Sequence, residues 1–282
     1  MKKILVPCDF SEAAKHAFKF AVEIAASNDG EVIVANMIEP PVLYGDGMPC
    51  QPHTYMDLDF DVAKSIKEAK KDFDNLKQSI AINYPRLTFL VETGPVKEMI
   101  LQIIEQQKVD LVVMGTSGAS GFKEIFIGSN TEKIVRAAPV PVFTVHGATR
   151  IYMVRNIIFP TTMDLNESDL TDKIKSLQNF FQAKLHILHI NYPGTLITDQ
   201  NLKNSLENYA LVHDFTNYTL HVRTDISIQD GIVKFASKFE NSIIAMATNG
   251  KKGIFHLLMG STAEDVVNHV HQPVWTYRVH QH

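Results

Sequence analysis

The feature that most limits what this chain can fold into is a repeat. Ile4-Leu5-Val6-Pro7 returns as Ile157-Ile158-Phe159-Pro160, and Val32 to Ile38 returns as Leu185 to Asn191, both at an offset of 153. Farther on, Leu111-Val112-Val113-Met114-Gly115-Thr116-Ser117-Gly118 returns as Ile243-Ile244-Ala245-Met246-Ala247-Thr248-Asn249-Gly250, now at 132. Gly128-Ser129 and Gly260-Ser261 keep 132, as do Pro141-Val142-Phe143 and Pro273-Val274-Trp275. The first copy therefore carries 153 − 132 = 21 extra residues in its middle. The stretch from Pro40 to about Asp61 is rich in proline and glycine, so it reads as a long loop of the lid or interaction kind. Motifs recurring in one order at two offsets call for two copies of one unit, with domains expected over 1–147 and 152–282.

Each copy alternates strand and helix signals. Lys3 to Pro7 is a short apolar run ending in proline, which suits a buried strand. Ser11 is placed to cap a helix whose apolar positions Ala14, Ala17, Phe18, Ala21, Val22 and Ala25 follow helical spacing, and Asn28-Asp29-Gly30 ends it. Strands follow at Glu31 to Ile38, Leu87 to Val91, Asp110 to Met114 and Val140 to Val145. Helices are read at Val62 to Ile80, after Pro95, and from Ser129 to Ala137. Strands separated by helices build a parallel sheet with helices on both faces. The fold class expected is thus α/β, two tandem doubly wound domains with parallel five-stranded sheets.

The glycine constellation Gly115-x2-Gly118-x9-Gly128-Ser129 is the most specific chemical signal. It begins where a strand ends and closes where a helix opens. Ligands of open α/β sheets bind at the carboxyl ends of strands, and glycines there let backbone amides approach phosphate oxygens. Ser129 and Glu132 have capping-box spacing at a helix N-terminus, whose amides and dipole favour an anion. The bland alternative is that these glycines only shape turns. No G-x4-G-K-[ST] loop and no G-x-G-x-x-G fingerprint occurs in the chain.

Together with Val6-Pro7-Cys8-Asp9-Phe10-Ser11 and Asp110-Leu111-Val112-Val113-Met114-Gly115-Thr116, this pattern resembles the ATP-binding branch of the universal stress protein family, over nearly the whole chain as two tandem domains. The resemblance implies an adenine-nucleotide alpha-hydrolase-like fold. It also implies a dimeric sensor or regulatory stress protein binding ATP, ADP or AMP, with or without Mg²⁺, and at most slow ATP hydrolysis. Carried over residue by residue, it implies that Pro7 and Asp9, where the first strand ends, belong to the nucleotide site, with Asp9 contacting ribose or adenine. Backbone near Met37 meets the base, and Gly115, Thr116, Gly118, Gly128, Ser129 and Asn130 hold phosphates and ribose. The last strand pairs domains in that family, which here implies pairing within one chain, with a homodimer open; the alternative is that each last strand stays inside its own sheet with helices covering its edge.

The second copy departs from the pattern. Ala247 replaces Gly115 and Thr162 replaces Asp9, with Asp164 two residues on, while Gly250, Gly260, Ser261 and the Ser261–Glu264 spacing remain. A weaker second site is expected, because an added methyl hinders close backbone approach and a carboxylate is lost.

Other residues keep two readings each. Asp9 is a ligand contact or a capping group near Ser11. Cys8 is a redox thiol or a half-buried structural cysteine, and no nearby basic residue or CxxC supports the first. Lys123, Lys251 and Lys252 reach a phosphate or face solvent. The 12 histidines show no zinc spacing, and His186 and His189 point to opposite strand faces. No metal site and no catalytic group is expected; no hydrolase triad, Mg²⁺ carboxylate pair or arginine finger can be named. A slow ATP-hydrolysing enzyme and a nucleotide-free dimerisation module stay open as alternatives. A net charge of −4 and a pI near 6.3 argue against a nucleic-acid surface. The apolar runs are too short for a membrane span, there is no signal-peptide core, and the two cysteines make no disulfide framework. A cytoplasmic protein is expected.

Overall fold

A computed structural model describes residues 1–39, 52–80, 84, 86–116, 128–191, 198–248, 270 and 272–279; of residues 52–61 it describes the backbone alone. By compactness the chain divides into Met1–Met114 and Gly115–His282.

In the first unit, β1 (Lys3–Pro7), α1 (Glu12–Ser27), β2 (Glu31–Ile38), α2 (Pro52–Gln78), β3 (Leu87–Thr93), α3 (Val96–Gln107) and β4 (Leu111–Gly115) follow one another. The strands run in the order β3-β2-β1-β4, all parallel. α1 starts where expected: the Ser11 hydroxyl accepts the Ala14 amide, and the chain leaves at Asn28 with Asp29 left-handed at φ 53°. Its face of Ala14, Ala17, Phe18, Ala21, Val22 and Ala25 is buried.

One expectation fails. The stretch to Asp61 is not all loop, because α2 begins at Pro52. Proline suits a first helical turn, whose amide has no partner within the helix, and no proline or glycine interrupts the run from His53 to Gln78. Residues 40–51 lie outside the described residues.

The second unit holds α4 (Ser129–Ala137), β5 (Val142–Val145), a 3-10 turn at Ile151–Met153, β6 (Asn156–Pro160), α5 (Ser168–Phe181), β7 (Lys184–Asn191), α6 (Asp199–Val212), β8 (Tyr218–Thr224), α7 (Ile228–Ala236), β9 (Ser242–Ala247) and β10 (Val274–Tyr277). The second copy supplies a five-stranded parallel sheet, β10-β9-β6-β7-β8. Its registers reproduce the first copy's: Lys3 pairs with Glu31 and Asn156 with Lys184, each shifted by 153. α7 packs Ile232, Phe235 and Ala236 on Ile158, Leu188, Ile190, Ile244 and Met246.

On its other edge β10 pairs antiparallel with β5, through Val274–Thr144, Trp275–Phe143 and Thr276–Val142. Phe143 thus pairs with its own repeat equivalent, since 143 + 132 = 275. The Thr144 hydroxyl donates to the Val274 carbonyl at 3.3 Å, and the Thr276 hydroxyl to the Val142 carbonyl at 3.2 Å. Reciprocal bonds around a self-paired residue are the mark of an isologous contact, here made inside one chain. The last strands of the two copies do pair, and in doing so each loses an exposed edge.

Candidate functional site

The expected site residues fall into two groups. In the first unit, β1 ends at Pro7 and the chain turns into α1. Cys8 is buried, and its amide donates to the Ala35 carbonyl at 2.8 Å. The Asn36 side-chain amide donates to the Cys8 carbonyl at 2.8 Å. Asp9 is exposed, and its Oδ1 accepts the Ser11 amide at 3.0 Å. The cap of α1 is Ser11 and not Asp9, so the capping alternative for Asp9 reduces to this one turn bond. Burial pushes the Cys8 thiol up to about 11, which removes the redox reading, because the thiolate is the reactive form.

Met37 follows by strand geometry. In a β-ladder, alternate residues turn both backbone groups to one side. The Glu31 amide donates to Lys2 and the Ala35 carbonyl accepts from Cys8, so residues 31, 33, 35 and 37 face β1. Pairing with β1 stops at Pro7–Ala35. The backbone groups of Met37 therefore lie past the end of β1.

In the second unit, Gly115, Thr116, Gly128, Ser129 and Asn130 gather at the start of α4. The Thr131 hydroxyl donates to the Gly115 carbonyl at 3.3 Å. Thr116 is buried, its amide bonds the Val145 carbonyl at 3.2 Å, and its hydroxyl hydrogen-bonds the His146 ring. The expected capping box does not form. Ser129 is already the first helical residue, Gly128 is the cap and offers no side chain, and the Glu132 carboxylate pairs with Arg136 at 2.5 Å. The one-residue shift leaves the box serine beyond reach of its amide, while the i,i+4 arginine supplies the carboxylate with a charge partner. The first intrahelical bond runs from the Glu132 amide to Gly128, so the amides of Ser129, Asn130 and Thr131 have no partner within the helix and no side-chain cap.

Gly128 has φ −60° and ψ 141°, a conformation open to any residue, and a Cβ placed on it would meet nothing within 4 Å. Among the described residues, neither backbone strain nor packing requires glycine there. Gly118, Gly250, Gly260 and Ser261 lie outside the described residues, as do Lys123, Lys251, Lys252 and Glu264.

The second copy repeats the frame and changes the chemistry. Thr161 follows β6 as Cys8 follows β1, its amide donating to the Leu188 carbonyl at 2.9 Å. Thr162 is exposed in the place of Asp9. Asp164 does not replace that carboxylate: it occupies the position of Ser11, and its Oδ1 accepts both the backbone and side-chain amides of Asn166 at 3.0 Å. Beside it, Glu167 is pushed up to about 7 by burial and by the Asp164 charge.

In the second copy, His186 is buried on β7 with its Nδ1 3.2 Å from His221 Nε2 and 3.0 Å from the Thr219 hydroxyl. His186 Nε2 donates to Asn156 Oδ1 at 3.0 Å, and the Phe239 and Phe235 rings cover the pair at 4.3 and 4.7 Å. Burial pushes His186 down to about 4, aided by His221 and Lys184, and burial with Arg223 and Lys184 also lowers His221. Among the described residues no three or more His, Cys, Asp or Glu side chains converge on a point that could hold a metal ion.

The family model described as universal stress protein family matches residues 1–146 and again 153–278. The chain belongs to the universal stress protein family. Each copy is thus one family unit. Universal stress protein MJ0577 of Methanocaldococcus jannaschii is 29% identical over 152 residues, covering 51% of this chain and 94% of its own. Universal stress protein A homolog 1 of Coxiella burnetii is 30% identical over 146 residues, covering 51% of this chain and 95% of its own. Both span half of this chain. A universal stress protein from Archaeoglobus fulgidus aligns over 98% of this chain and 96% of its own, with a TM-score of 0.65 and 19% identity, so the tandem α/β fold recurs there. Among the described residues no helix is long and apolar enough to cross a membrane.

The sequence alone gives Asn36, His189, Glu167 and the His186–His221 pair no role. The signal for Asn36 and His189 was present in the offset of 153 that superposes them. Histidine and glutamate burial has no periodic signature.

Proposed function

We propose that the chain is a cytoplasmic stress-response protein that binds an adenine nucleotide, ATP, ADP or AMP, with or without Mg²⁺, through its first domain (1–147). The second domain (152–282) binds weakly, with Gly250, Gly260 and Ser261 as the remnant of a site. The reading gives Pro7 and Asp9 to the nucleotide, with Asp9 on ribose or adenine, the backbone at Met37 to the base, and Gly115, Thr116, Gly118, Gly128, Ser129 and Asn130 to phosphates and ribose.

The observation that carries it is Gly128. A residue that neither its backbone nor its described neighbours require to be glycine stands before three amides without intrahelical partners. A phosphate at that end supplies the reason for the missing side chain, since bare amides and the helix dipole favour an anion. The spacing of the glycines in a chain of this family and the position of Met37 past the end of β1 support the same ligand.

The test is ATP titration by calorimetry on wild type and Gly128→Val. The added Cβ would meet no described atom, and an apolar residue in place of glycine at a helix cap costs about 1 kcal/mol. Binding of one ATP per chain by wild type, lost in a variant that still melts near the wild-type temperature, is expected. Equal affinity in both would overturn the assignment, and two equivalent sites would overturn the weakness of the second domain.

A further inference from the structure

The turn that presents Asp9 is closed by a side-chain bond. Past Pro7, β1 has ended and α1 has not begun, so the Cys8 carbonyl belongs to no ladder. The backbone of Asn36 is turned toward β3, where it pairs with Val91. Only the side chain of Asn36 reaches back, its amide donating to Cys8 at 2.8 Å. The second copy makes the same bond with different chemistry. His189, at 36 + 153, holds the Thr161 carbonyl through Nδ1 at 3.0 Å, and a carbonyl partner requires that nitrogen to carry the proton.

The neighbouring bonds also correspond. Cys8 bonds Ala35 at 2.8 Å, and Thr161 bonds Leu188 at 2.9 Å. Two residues on, Phe10 and Met163 both take left-handed backbone, at φ 62° and 65°. Side chains other than glycine hold that conformation only when their surroundings over-determine it. In the first copy those surroundings are the side-chain grip on Cys8, the Asp9–Ser11 bond and the Phe89 ring 6.2 Å from Phe10. An amide in one copy and an imidazole in the other make one bond at one place. What the two copies keep in common is the donor, not the residue.

We propose that Asn36 is a positioning residue for nucleotide binding: by gripping the Cys8 carbonyl it fixes the peptide plane between Cys8 and Asp9, and so aims the Asp9 carboxylate at the ligand. This rests on the reading that Asp9 contacts the nucleotide. His189 holds the corresponding turn of the second copy, which carries Thr162 and no carboxylate. A small misplacement of a binding group costs far more than the bond that positions it.

The experiment uses the full chain with Asn36→Asp, Asn36→His and Asp9→Ala. Asn36→Asp keeps the shape and removes the donor; Asn36→His installs the second copy's donor. Three readouts are taken: ATP affinity, melting temperature and hydrogen exchange of the Ser11 amide. Asn36→Asp is expected to weaken ATP at least tenfold and to speed Ser11 exchange, whereas Asn36→His stays within about threefold of wild type in both. In an Asp9→Ala background Asn36→Asp should cost no further affinity, a coupling that a purely structural role would not produce. Unchanged ATP affinity in Asn36→Asp, an equal loss in Asn36→His, or additive losses with Asp9→Ala would each overturn the proposal. If wild type binds no ATP, the nucleotide reading fails and this role falls with it. The exchange data would then show separately whether the grip on the turn exists.

Discussion

Acid should weaken this protein through His186 and His221, and the first copy supplies the control. His186 corresponds to Ile33, since 186 − 153 = 33. Strand registers place Tyr218 on Leu87, an offset of 131, so His221 corresponds to Leu90. The perturbation is therefore His186→Ile with His221→Leu, two side chains that the same fold already accommodates. Burial holds His186 down at about 4 from an ordinary 6.5. With its folded value lowered, the folded state binds fewer protons than the unfolded chain. The stabilising difference is whole above pH 6.5, falls as pH drops through 6.5, and is lost entirely below about 4. At about 1.36 kcal/mol per unit the full span would approach 3.4 kcal/mol. Water reaching the half-buried His221 side screens the pair, which brings the expected value to roughly half, with about 1 kcal/mol expressed by pH 5. The charges acting on the pair, Lys184 and Arg223, are both positive and give an imidazolium no relief. For a chain of this size that is about 2–4 °C of melting temperature. Thermal unfolding at pH 8 and pH 5 should show wild type losing more than the double variant by that margin. Any constant gain from the two apolar side chains cancels in the difference. Parallel melting-temperature curves for the two proteins would refute the reasoning.

Three further outcomes are expected. Glu167 runs the other way: raised to about 7 by burial, it is destabilising once ionised, so Glu167→Gln should raise the melting temperature at pH 8 and leave it unchanged at pH 4. A Cβ at Gly231 would lie 2.8 Å from two carbons of Ile190, so Gly231→Ala should destabilise by about 1–3 kcal/mol in denaturant titration, with ATP affinity kept. Cys8, held near 11, should resist iodoacetamide at pH 8 in the folded protein and react after unfolding, as read by peptide mass spectrometry at that residue.

Much of the fold was legible because apolar spacing and punctuation agree locally. Ser11 capped α1 as read, and the Lys3–Pro7 strand recurred at Asn156–Pro160 with its register intact. The spacing predicts a helix only from Val62, whereas α2 begins at Pro52, because Pro40, Pro41, Pro49 and Pro52 look alike in composition and nothing in it shows that Pro52 stands at a first helical turn. Near the site, the spacing of Gly128, Ser129 and Glu132 located the helix end but not its phase. One residue decides whether a serine caps or is itself capped. Asn36 was passed over because a polar residue on a strand carries no mark of what its side chain meets. Only the repeat, read residue against residue, sets it beside His189.

The self-paired register of β5 and β10 bears on how the two halves could diverge. In an assembly of two identical chains, any change at one copy is forced on the other, so a substitution useful in one place and harmful in the second is discarded. Joining the copies through one backbone separates their inheritance. The contact through Phe143 and Trp275 can stay symmetric in form while its two residues already differ. Asn36 can drift from His189, and Asp9 from Thr162, each answering only to its own surroundings.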